Sequence, residues 1–570
     1  MRKIISPIAM LLGLALIVLG IGQQTWWAPP TVVSASSAKV HDAAALTVIK
    51  PNIEGISEDG VELTIKAEGD FKVAMGRTVD VEAWVGDAAH QNVVGLTESE
   101  DKTPLIEVEK VDGEDTVPDP TNSDLWVDVQ EGSGSMLYRF SNADQDDKDW
   151  SLLLFTNGKS AAPTEFVTDY HVEPDRSGPV AVILVGIVFL LLGLAMLFGP
   201  KRQGRRRRVE GAAAIAVTGV LAASLTQGAL PASASPSPNT ESPSPTQTQS
   251  PAETESAAPE GEETGTGEEG AENEGPRVQL VNSQVERILN DTAKKLESAD
   301  KAQKVSSAVK RRLAGPALAL REDNYTARAK ASDLAKLAPV GTNVRTYAGT
   351  TDPEFPRQLL IVADQDKSDI PQLLFFEQRS ARSNYRLVSA TPMVPGASLD
   401  PIDPTQIGKA TAKQSGLVAT PEKLFTDLAK NLSDDKQAKN LTSDLKENTY
   451  IQLIRQDQKK QVEDNPDAKV SFARSFEPDS LTGITLKDGS VLATGTLKST
   501  MKSTPEDDGA SLKLNDLTKE LSGAESDSTE QTLTVQKYEQ YTVLIPAKDA
   551  ENKKIQVLGV SEVTRAARLG

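Results

Sequence analysis

The chain has 570 residues, a hydrophobic content of 38% and a formal net charge of −20 at pH 7. Its length allows several domains, and its hydrophobic content is too low for a polytopic transporter. The acidic balance makes nucleic acid a poor partner, because phosphate binding needs clustered Lys and Arg. The absence of cysteine excludes disulfides, thiolate metal sites and thiol catalysis, and it suits the outside of a bacterium that relies little on disulfides.

The N-terminus combines positive charge, an apolar run and aromatic residues. Arg2 and Lys3 precede the apolar residues 4–21, and two tryptophans follow them. This order is typical of a membrane segment with an interfacial aromatic belt, so we interpret residues 1–23 as a transmembrane helix or signal anchor. The alternative is a cleaved signal peptide, but the stretch of small residues at 34–38 lies well past the apolar run.

Residues 31–177 have the pattern of an extracytoplasmic β domain. Short runs of alternating polar and apolar residues recur, separated by turn sequences such as Gly86-Asp87 and Asn157-Gly158. The runs cover residues 61–67, 79–84, 105–111, 125–130, 136–140, 150–155 and 166–171. Many short strands at this spacing predict an antiparallel β-sandwich.

A basic cluster follows the clearest membrane segment. Residues 178–200 carry no charge between Arg176 and Lys201 and are long enough to cross the hydrocarbon core, so they predict a transmembrane helix. Residues 201–208 hold six Lys and Arg residues, which predicts a cytoplasmic Arg-rich loop. We expect Arg202 to Arg208 to bind anionic membrane lipid.

The second apolar run is predicted as a third transmembrane helix, over residues 209–231. Residues 212–230 are rich in alanine, and their position after the basic cluster favours insertion. These three helices make the chain a multi-domain membrane protein. Its N-terminus lies in the cytoplasm, and residues 24–177 and 231–570 lie outside the plasma membrane of a bacterium.

The same segment also has the layout of an internal signal peptide. A basic region, an Ala-rich apolar region and the small residues Ala232-Ser233-Ala234 follow one another in the order that signal peptidase recognises. Cleavage after Ala234 would release the C-terminal half, and this alternative stays open. Residues 232–276 are rich in Pro, Ser, Thr and Glu, a composition that predicts a disordered linker.

Residues 277–570 predict an α+β region of two modules, 277–415 and 416–570. In each module helices precede antiparallel strands. Apolar residues between 278 and 296 predict the first helix, and further helices are predicted at 302–314, 421–432 and 434–458. Gly315-Pro316 is expected to stop the second helix. The predicted strands cover 343–348, 358–363, 372–378, 385–390, 470–476, 491–503, 530–546 and 554–563.

The order of helices followed by an antiparallel sheet, found twice, resembles tandem NTF2-like (cystatin-like) modules. This resemblance implies a concave sheet that receives a ligand or partner. The whole layout of anchor, β domain, span, arginine cluster, span, Pro/Ser stalk and α+β region resembles uncharacterised membrane-anchored envelope proteins of Actinobacteria. Some members of that group carry a glycosyl transferase label, which implies an enzyme of glycan assembly.

Asp364-Gln365-Asp366 ends an apolar run and is the candidate metal site. In glycosyltransferases an Asp-x-Asp pair holds a divalent cation on a sugar nucleotide, since hard cations prefer carboxylate oxygens. The alternative is a polar hairpin turn, which the following Asp369 favours, and no Gly-rich phosphate loop accompanies the pair. A calcium loop fails, because Asp369 occupies its glycine position and Phe375 its glutamate position. We therefore expect no cofactor.

Other catalytic patterns are incomplete. Ser307–Lys310 and Ser499–Lys502 match Ser-x-x-Lys, but the companion motifs of penicillin-binding proteins are missing. The only histidines, His41, His90 and His171, lie in the first outer region, so the distal modules contain none for base catalysis.

The start of the distal region is locally basic. The cationic residues are Lys294, Lys295, Lys301, Lys304, Lys310, Arg311, Arg312 and Arg321. One interpretation is a contact with an anionic cell-wall polymer. The other is a mixed-charge helix face in solvent, which the interleaved Glu286, Asp291, Glu297 and Asp300 favour.

Together these patterns predict a non-catalytic, membrane-anchored envelope protein that binds or scaffolds through its outer domains. Cell-wall polymer and envelope-assembly proteins are the expected partners. One alternative is a glycosyltransferase-related enzyme or accessory subunit, with Asp364 and Asp366 as its site. The other is an effector released by cleavage at Ala234. The missing catalytic constellation favours a protein that is not an enzyme.

Overall fold

The structure is a computed structural model that describes residues 2–28, 31–38, 40, 42–54, 61–98, 103–140, 150–171, 176–198, 279–365, 368–404, 406–433, 445, 448–507 and 509–570. The chain divides into two compact units, one from residues 1–29 and 174–273 and the other from residues 30–173 and 274–570. The predicted basic loop, third transmembrane helix and linker, together with Ala234, lie outside the described residues.

The first unit contains two long apolar helices, α1 (Arg2–Gln24) and α3 (Ser177–Phe198). Their segments Ile5–Gln24 and Ser177–Phe198 have mean hydropathies of 2.4 and 3.1, and by length and composition both can cross a membrane. They lie where the sequence predicts membrane helices, at residues 1–23 and 178–200.

Helices α1 and α3 pack antiparallel through glycine. A Cβ atom at Gly13 would lie 2.6 Å from Leu190 N, and one at Gly186 would lie 2.8 Å from Gly13 O. The Ser6 hydroxyl donates a hydrogen bond to Gly193 O over 2.7 Å. Close backbone approach and interhelical hydrogen bonds are the usual means of association in lipid, where apolar burial gives no driving force.

Residues 31–171 of the second unit form one sheet that closes on itself, here called the β barrel. Its strands are β1 (Val32–Ser37), β2 (Leu46–Glu54), β3 (Val61–Arg77), β4 (His90–Glu98), β5 (Pro104–Val111), β6 (Asp128–Phe140), β7 (Trp150–Phe155) and β8 (Glu165–His171). The order is β6-β3-β7-β2-β4-β5-β1-β8, and β8 also pairs with β3. The ring closes because β3 is long: residues 63–66 pair with β8 and residues 72–77 with β7.

This arrangement differs from the predicted antiparallel β-sandwich. The pairs β1–β5 and β2–β4 are parallel, and seven strands form a closed ring, with β6 paired to β3 outside it, instead of two facing antiparallel sheets. Alternating patterns locate strands but do not specify their partners, since every half-buried strand has the same period. The predicted strand 79–84 is instead helix α2 (Thr78–Val85), whose buried Val81, Trp84 and Val85 have helical spacing.

The barrel strands have apolar residues on both faces. Leu152 and Leu154 of β7 belong to the core enclosed by the ring. Leu153 and Phe155 belong to a second core with α2 and Trp126. That second core also contains Ala381 from the distal region, so the barrel extends its packing beyond its own segment of chain.

The first distal module places helices on one face of an antiparallel sheet. Helices α4 (Asn282–Ala302), α5 (Ser307–Lys310) and α6 (Gly315–Arg328) precede strands β9 (Asn343–Gly349), β10 (Arg357–Gln365), β11 (Ser368–Gln378) and β12 (Arg386–Pro392), in the sheet order β12-β11-β10-β9. The prediction that Gly315-Pro316 ends a helix is wrong, because α6 begins there. Proline suits the first helical turn, where its missing N–H breaks no hydrogen bond.

The second distal module repeats this order. It contains α7 (Pro421–Ser433), α8 (Thr449–Glu463) and the sheet β13 (Gly408–Lys409), β14 (Ala468–Thr485), β15 (Val491–Pro505), β18 (Leu533–Ile545) and β19 (Gln556–Leu569). Between β15 and β18 lie β16 (Leu512–Lys513), α9 (Asp516–Ser522) and β17 (Ser528–Thr529). Strand β13 precedes the predicted boundary at residue 415 but pairs with β14. Within the predicted helix 434–458, most of residues 434–448 lie outside the described residues, and α8 covers residues 449–458.

The two distal sheets pack face to face. Leu360 and Phe375 of the first sheet share a core with Leu492 of the second. Between the sheets, the buried hydroxyls of Ser389 and Thr494 are 2.8 Å apart. The opposite face of each sheet carries helices, so the sheet surface implied by the NTF2-like resemblance is covered by protein on both sides.

Replacing Gly13 by leucine should separate α1 from α3, because the added side chain cannot enter the space against Leu190. Met10 Cγ lies 2.6 Å from the Cβ position of Gly193, so a Met10→Cys/Gly193→Cys pair should form a disulfide in this cysteine-free chain. Electrophoretic mobility with and without reductant measures the cross-link. Gly13→Leu should abolish it.

Gly178→Leu is the matched control, since no atom lies within 4 Å of its Cβ position. The cross-link should survive this change. Equal cross-linking in the Gly13→Leu and Gly178→Leu proteins would contradict the glycine-packed arrangement.

Candidate functional site

The β barrel and the first distal module are joined by buried ion pairs. Asp80 on α2 pairs with Arg357 at the start of β10, with 2.5 Å between Oδ1 and Nη1 and side-chain exposures of 3% and 1%. Arg357 also donates hydrogen bonds to Pro353 O. Because both charges are removed from water, each relies on the other for compensation. The pair thereby holds together two residues that are 277 positions apart in the sequence.

A second buried pair lies where α5 ends. Arg312 binds Asp124 at two points, with Nη1–Oδ2 at 2.5 Å and Nη2–Oδ1 at 2.9 Å. Its Nε donates to Asp291 Oδ2 of α4 over 2.6 Å. Asp124 Oδ2 also accepts the backbone N–H of Tyr385 over 2.8 Å. The guanidinium fork suits this two-point contact, which orients α4 and α5 against the barrel.

Further side chains of α4 bind the backbone of the barrel. Gln284 Nε2 donates to Asp124 O over 3.0 Å, and Arg287 Nη2 donates to Trp126 O. These contacts place one face of α4 beside the segment that leads into β6. They satisfy carbonyl groups that would otherwise be buried without partners.

Arg382 makes a separate contact with α2. Its Nε donates to Trp84 O over 3.0 Å and its Nη2 to Val85 O over 2.8 Å. Its guanidinium lies 5.5 Å from the centre of the Trp84 ring, and Nη1 lies 3.0 Å from Glu114 Oε2. The end of α2 is thereby capped by a cation, as its dipole favours.

A cavity of about 650 Å³, here called the first cavity, lies between the 121–129 segment of the barrel and α4. Its lining contains the cationic side chains Arg287, Lys294, Lys295, Arg311 and Arg312 and the acidic side chains Asp124, Asp128 and Asp291. This volume lies within the range of small-molecule sites in proteins. The lining is polar, so it suits a charged ligand better than an apolar one.

Two cations of the first cavity are available to a ligand. Arg312 is paired with Asp124 and Asp291, and Lys295 also donates to Asp291. By contrast, the exposed Lys294 and Arg311 have no side-chain hydrogen bond or ion pair with any part of the chain that the structure describes. Unpaired cations in a concave surface are suited to phosphate or carboxylate groups.

Two side chains that line the cavity have shifted pKa values, each with its own cause. Desolvation lowers the pKa of Arg287 and outweighs the opposing charge of Asp124, while Arg312 has a smaller lowering effect and Asp128 a smaller raising effect. Burial alone would raise the pKa of Asp291, but hydrogen bonds from Lys295 and Arg312 outweigh it and hold the pKa below its usual range. Asp291 is therefore ionised at neutral pH and keeps Arg312 in place.

The sequence identified part of this site. Of the predicted basic residues, Lys294, Lys295, Arg311 and Arg312 line the first cavity. Lys301, Lys310 and Arg321 instead form ion pairs with Glu297, Glu322 and Asp300. Sequence reasoning did not find Asp124, Asp128 and Arg287, because no local pattern shows that barrel and distal region meet.

The candidate metal residues lie elsewhere. Asp364 is near the end of β10, where its Oδ1 lies 2.7 Å from Arg345 Nε. Asp366 lies outside the described residues. Within the described ranges, no group of three or more His, Cys, Asp or Glu side chains is placed to hold a metal ion. The Asp-x-Asp metal site stays a prediction, and the geometry of Asp364 gives it no support.

The other catalytic motifs also have ordinary structural contacts. Ser499 and Lys502 lie on β15, where residues three positions apart face opposite sides of the sheet. Lys310 lies 3.4 Å from Glu322 Oε1. In β4, His90 Nδ1 lies 2.8 Å from Ala88 O. The first cavity is therefore the strongest candidate site.

Replacing Asp124 by asparagine should destabilise the contact between barrel and distal module by about 3 kcal/mol or more, because Arg312 would keep a buried charge without its main partner. The matched control is Glu62→Gln, which removes an exposed pair with Arg139 and should cost less than about 1 kcal/mol. Urea unfolding of the full-length protein in detergent, followed by tryptophan fluorescence, measures both. Equal unfolding midpoints for the two variants would contradict a structural role for the buried pair.

Comparison of the chain with protein-family models, with curated proteins and with solved structures finds no match. The resemblances to NTF2-like modules and to actinobacterial envelope proteins therefore stay predictions. The function of the first cavity has to be inferred from its own residues.

Proposed function

We propose that this protein is a membrane-anchored binding protein of a bacterial cell envelope, and that its outer unit binds an anionic ligand in the first cavity. The observation that carries this proposal is the exposed pair Lys294 and Arg311, in a concave surface of about 650 Å³. Binding is proposed without catalysis, in agreement with the absence of a catalytic pattern in the sequence.

The charge of the whole chain makes this cavity more selective. The formal net charge is −20, so most of the molecule repels anions. A cleft lined by the opposite sign concentrates the electrostatic potential and raises the local concentration of an anionic ligand. The exposed Asn122 and Asn290 line the same cavity and can add neutral hydrogen bonds. An anion is therefore attracted to this surface in preference to the rest of the protein.

The packing of barrel and distal region supports the predicted membrane topology. Residues 30–173 and 274–570 belong to one compact unit, so they lie on the same side of a membrane. The chain between them must then cross the membrane an even number of times. Helix α3 provides one crossing, and the apolar residues 212–230 provide a suitable second. We place both outer regions outside the cell and the basic loop 201–208 in the cytoplasm.

Single cysteines test this topology, since the chain has none of its own. Ser250→Cys and Lys553→Cys should react with a membrane-impermeant maleimide on intact cells, because both positions lie outside the membrane. Gln203→Cys should react only after permeabilisation. Labelling of Gln203→Cys on intact cells, or protection of Ser250→Cys, would contradict the proposed crossings.

The same packing bears on the released-effector alternative. Cleavage after Ala234 would cut the chain between the barrel and the distal region. The buried pairs Asp80–Arg357 and Asp124–Arg312 would still hold the two parts together. The proposal is therefore that the distal region stays at the membrane whether or not the chain is cleaved.

Removal of the free cations should weaken anion binding. Short-chain inorganic polyphosphate serves as the probe, titrated into the full-length protein in detergent by isothermal calorimetry. Lys294→Ala/Arg311→Ala should lower its affinity by at least about tenfold, since each charge-assisted contact contributes about 1.5 kcal/mol or more. Added salt should weaken binding to the unmodified protein, because the site is exposed to solvent.

The control variant is Lys553→Ala/Lys554→Ala, which changes the net charge equally at exposed positions away from the cavity. Its affinity for polyphosphate should equal that of the unmodified protein. Equal weakening by both double variants would assign binding to net charge and contradict a specific site.

A further inference from the structure

A second cavity, of about 710 Å³, adjoins the first along α4. Asn290 and Lys294 line both cavities, and the second continues along the helix to Glu297 and Lys301. These positions have helical spacing, so they lie on one face of α4 and cover about 16 Å of its axis. The two cavities therefore form a groove that is longer than either.

The second cavity has more apolar surface than the first. Leu337, Pro339 and Val340 line it, together with the ring of Tyr325. The Tyr325 hydroxyl donates to Asp300 Oδ1 over 2.5 Å, so the polar end of this side chain is already satisfied. This apolar surface suits the uncharged part of a ligand.

Positive charge reappears at the edge of the second cavity. Its acidic side chains have partners: Glu297 Oε1 lies 2.7 Å from Lys301 Nζ, and Asp300 Oδ2 lies 3.6 Å from Arg321 Nη2. The exposed Lys336 has no side-chain partner among the residues whose structure is described. Free cations thus line both cavities, and the second also offers an apolar surface.

We infer that the ligand is a linear anionic polymer whose acidic groups are separated by uncharged units, the chemical class of acidic glycans. This inference rests on the proposed function. Acidic groups bind Arg311 in the first cavity, Lys294 where the two cavities adjoin and Lys336 in the second, while the uncharged units cover Leu337 and Pro339. A single small anion would fill a fraction of either cavity, whereas a polymer gains affinity by occupying both.

The dependence of affinity on ligand length tests this inference. Two series of oligomers, oligogalacturonates with carboxylates and oligo(glycerol phosphates) with phosphates, are titrated into the full-length protein in detergent. Affinity should rise at least about tenfold from one unit to about six units and then level off, because a long ligand engages both cavities. The series with the higher affinity identifies the acidic group.

Variants connect the length effect to the second cavity. Lys336→Ala should weaken binding of the long oligomers about fivefold or more and leave the monomer unchanged, whereas Lys294→Ala should weaken both. Lys304→Ala is the control, since this exposed lysine lines neither cavity and should change neither affinity.

Equal affinity for monomer and long oligomers, with the Lys294→Ala effect retained, would overturn the polymer inference and leave the proposed function standing. A Lys336→Ala effect on the monomer as large as that on the oligomers would also overturn it. Failure of both series and of polyphosphate to bind would overturn the proposed function as well.

Discussion

The second unit, residues 30–173 and 274–570, depends on the contact between Asp124 and Arg312. Their side chains are 1% and 5% exposed, so neither charge is solvated and each is stable only beside the other. The barrel supplies the carboxylate and the distal module the guanidinium, which makes each part incomplete by itself. The same guanidinium holds two of the three acidic side chains that line the first cavity. Because Asp124 and Asp291 are both held by Arg312, they do not neutralise Lys294 and Arg311.

The elements that the sequence predicts well are those with a signal along a single stretch of chain. Helices α1 and α3 follow from uninterrupted apolar runs of membrane length. Local ambiguity explains the errors. Val81, Trp84 and Val85 satisfy helical spacing, but the alternation around Asp80 also fits a strand. Pro316 fits either the end of one helix or the start of the next. Barrel closure depends on strand partners, which no local pattern contains.

The sequence likewise predicts some features of the candidate site and misses others. Its cations could be recognised because Lys294, Lys295, Arg311 and Arg312 lie in one dense basic stretch. The sequence could not show which of these cations lack an ion-pair partner, because the partner of Arg312 lies 188 positions away in another domain. The interleaved acids favour a mixed-charge helix face in solvent. In the structure Asp291, Glu297 and Asp300 pair with some of the cations, and other cations stay available to a ligand.

The order of synthesis gives the contact between barrel and distal region another consequence. The ribosome makes Asp80, Asp124 and Trp126 long before Arg312 and Arg357. Until the distal region arrives, the barrel keeps an acidic and aromatic surface in water, and docking of the distal region then covers it. A chain that stops early continues to expose this surface. Burial of this surface therefore marks a molecule whose distal region has been made and has docked, whereas a truncated molecule keeps the surface exposed.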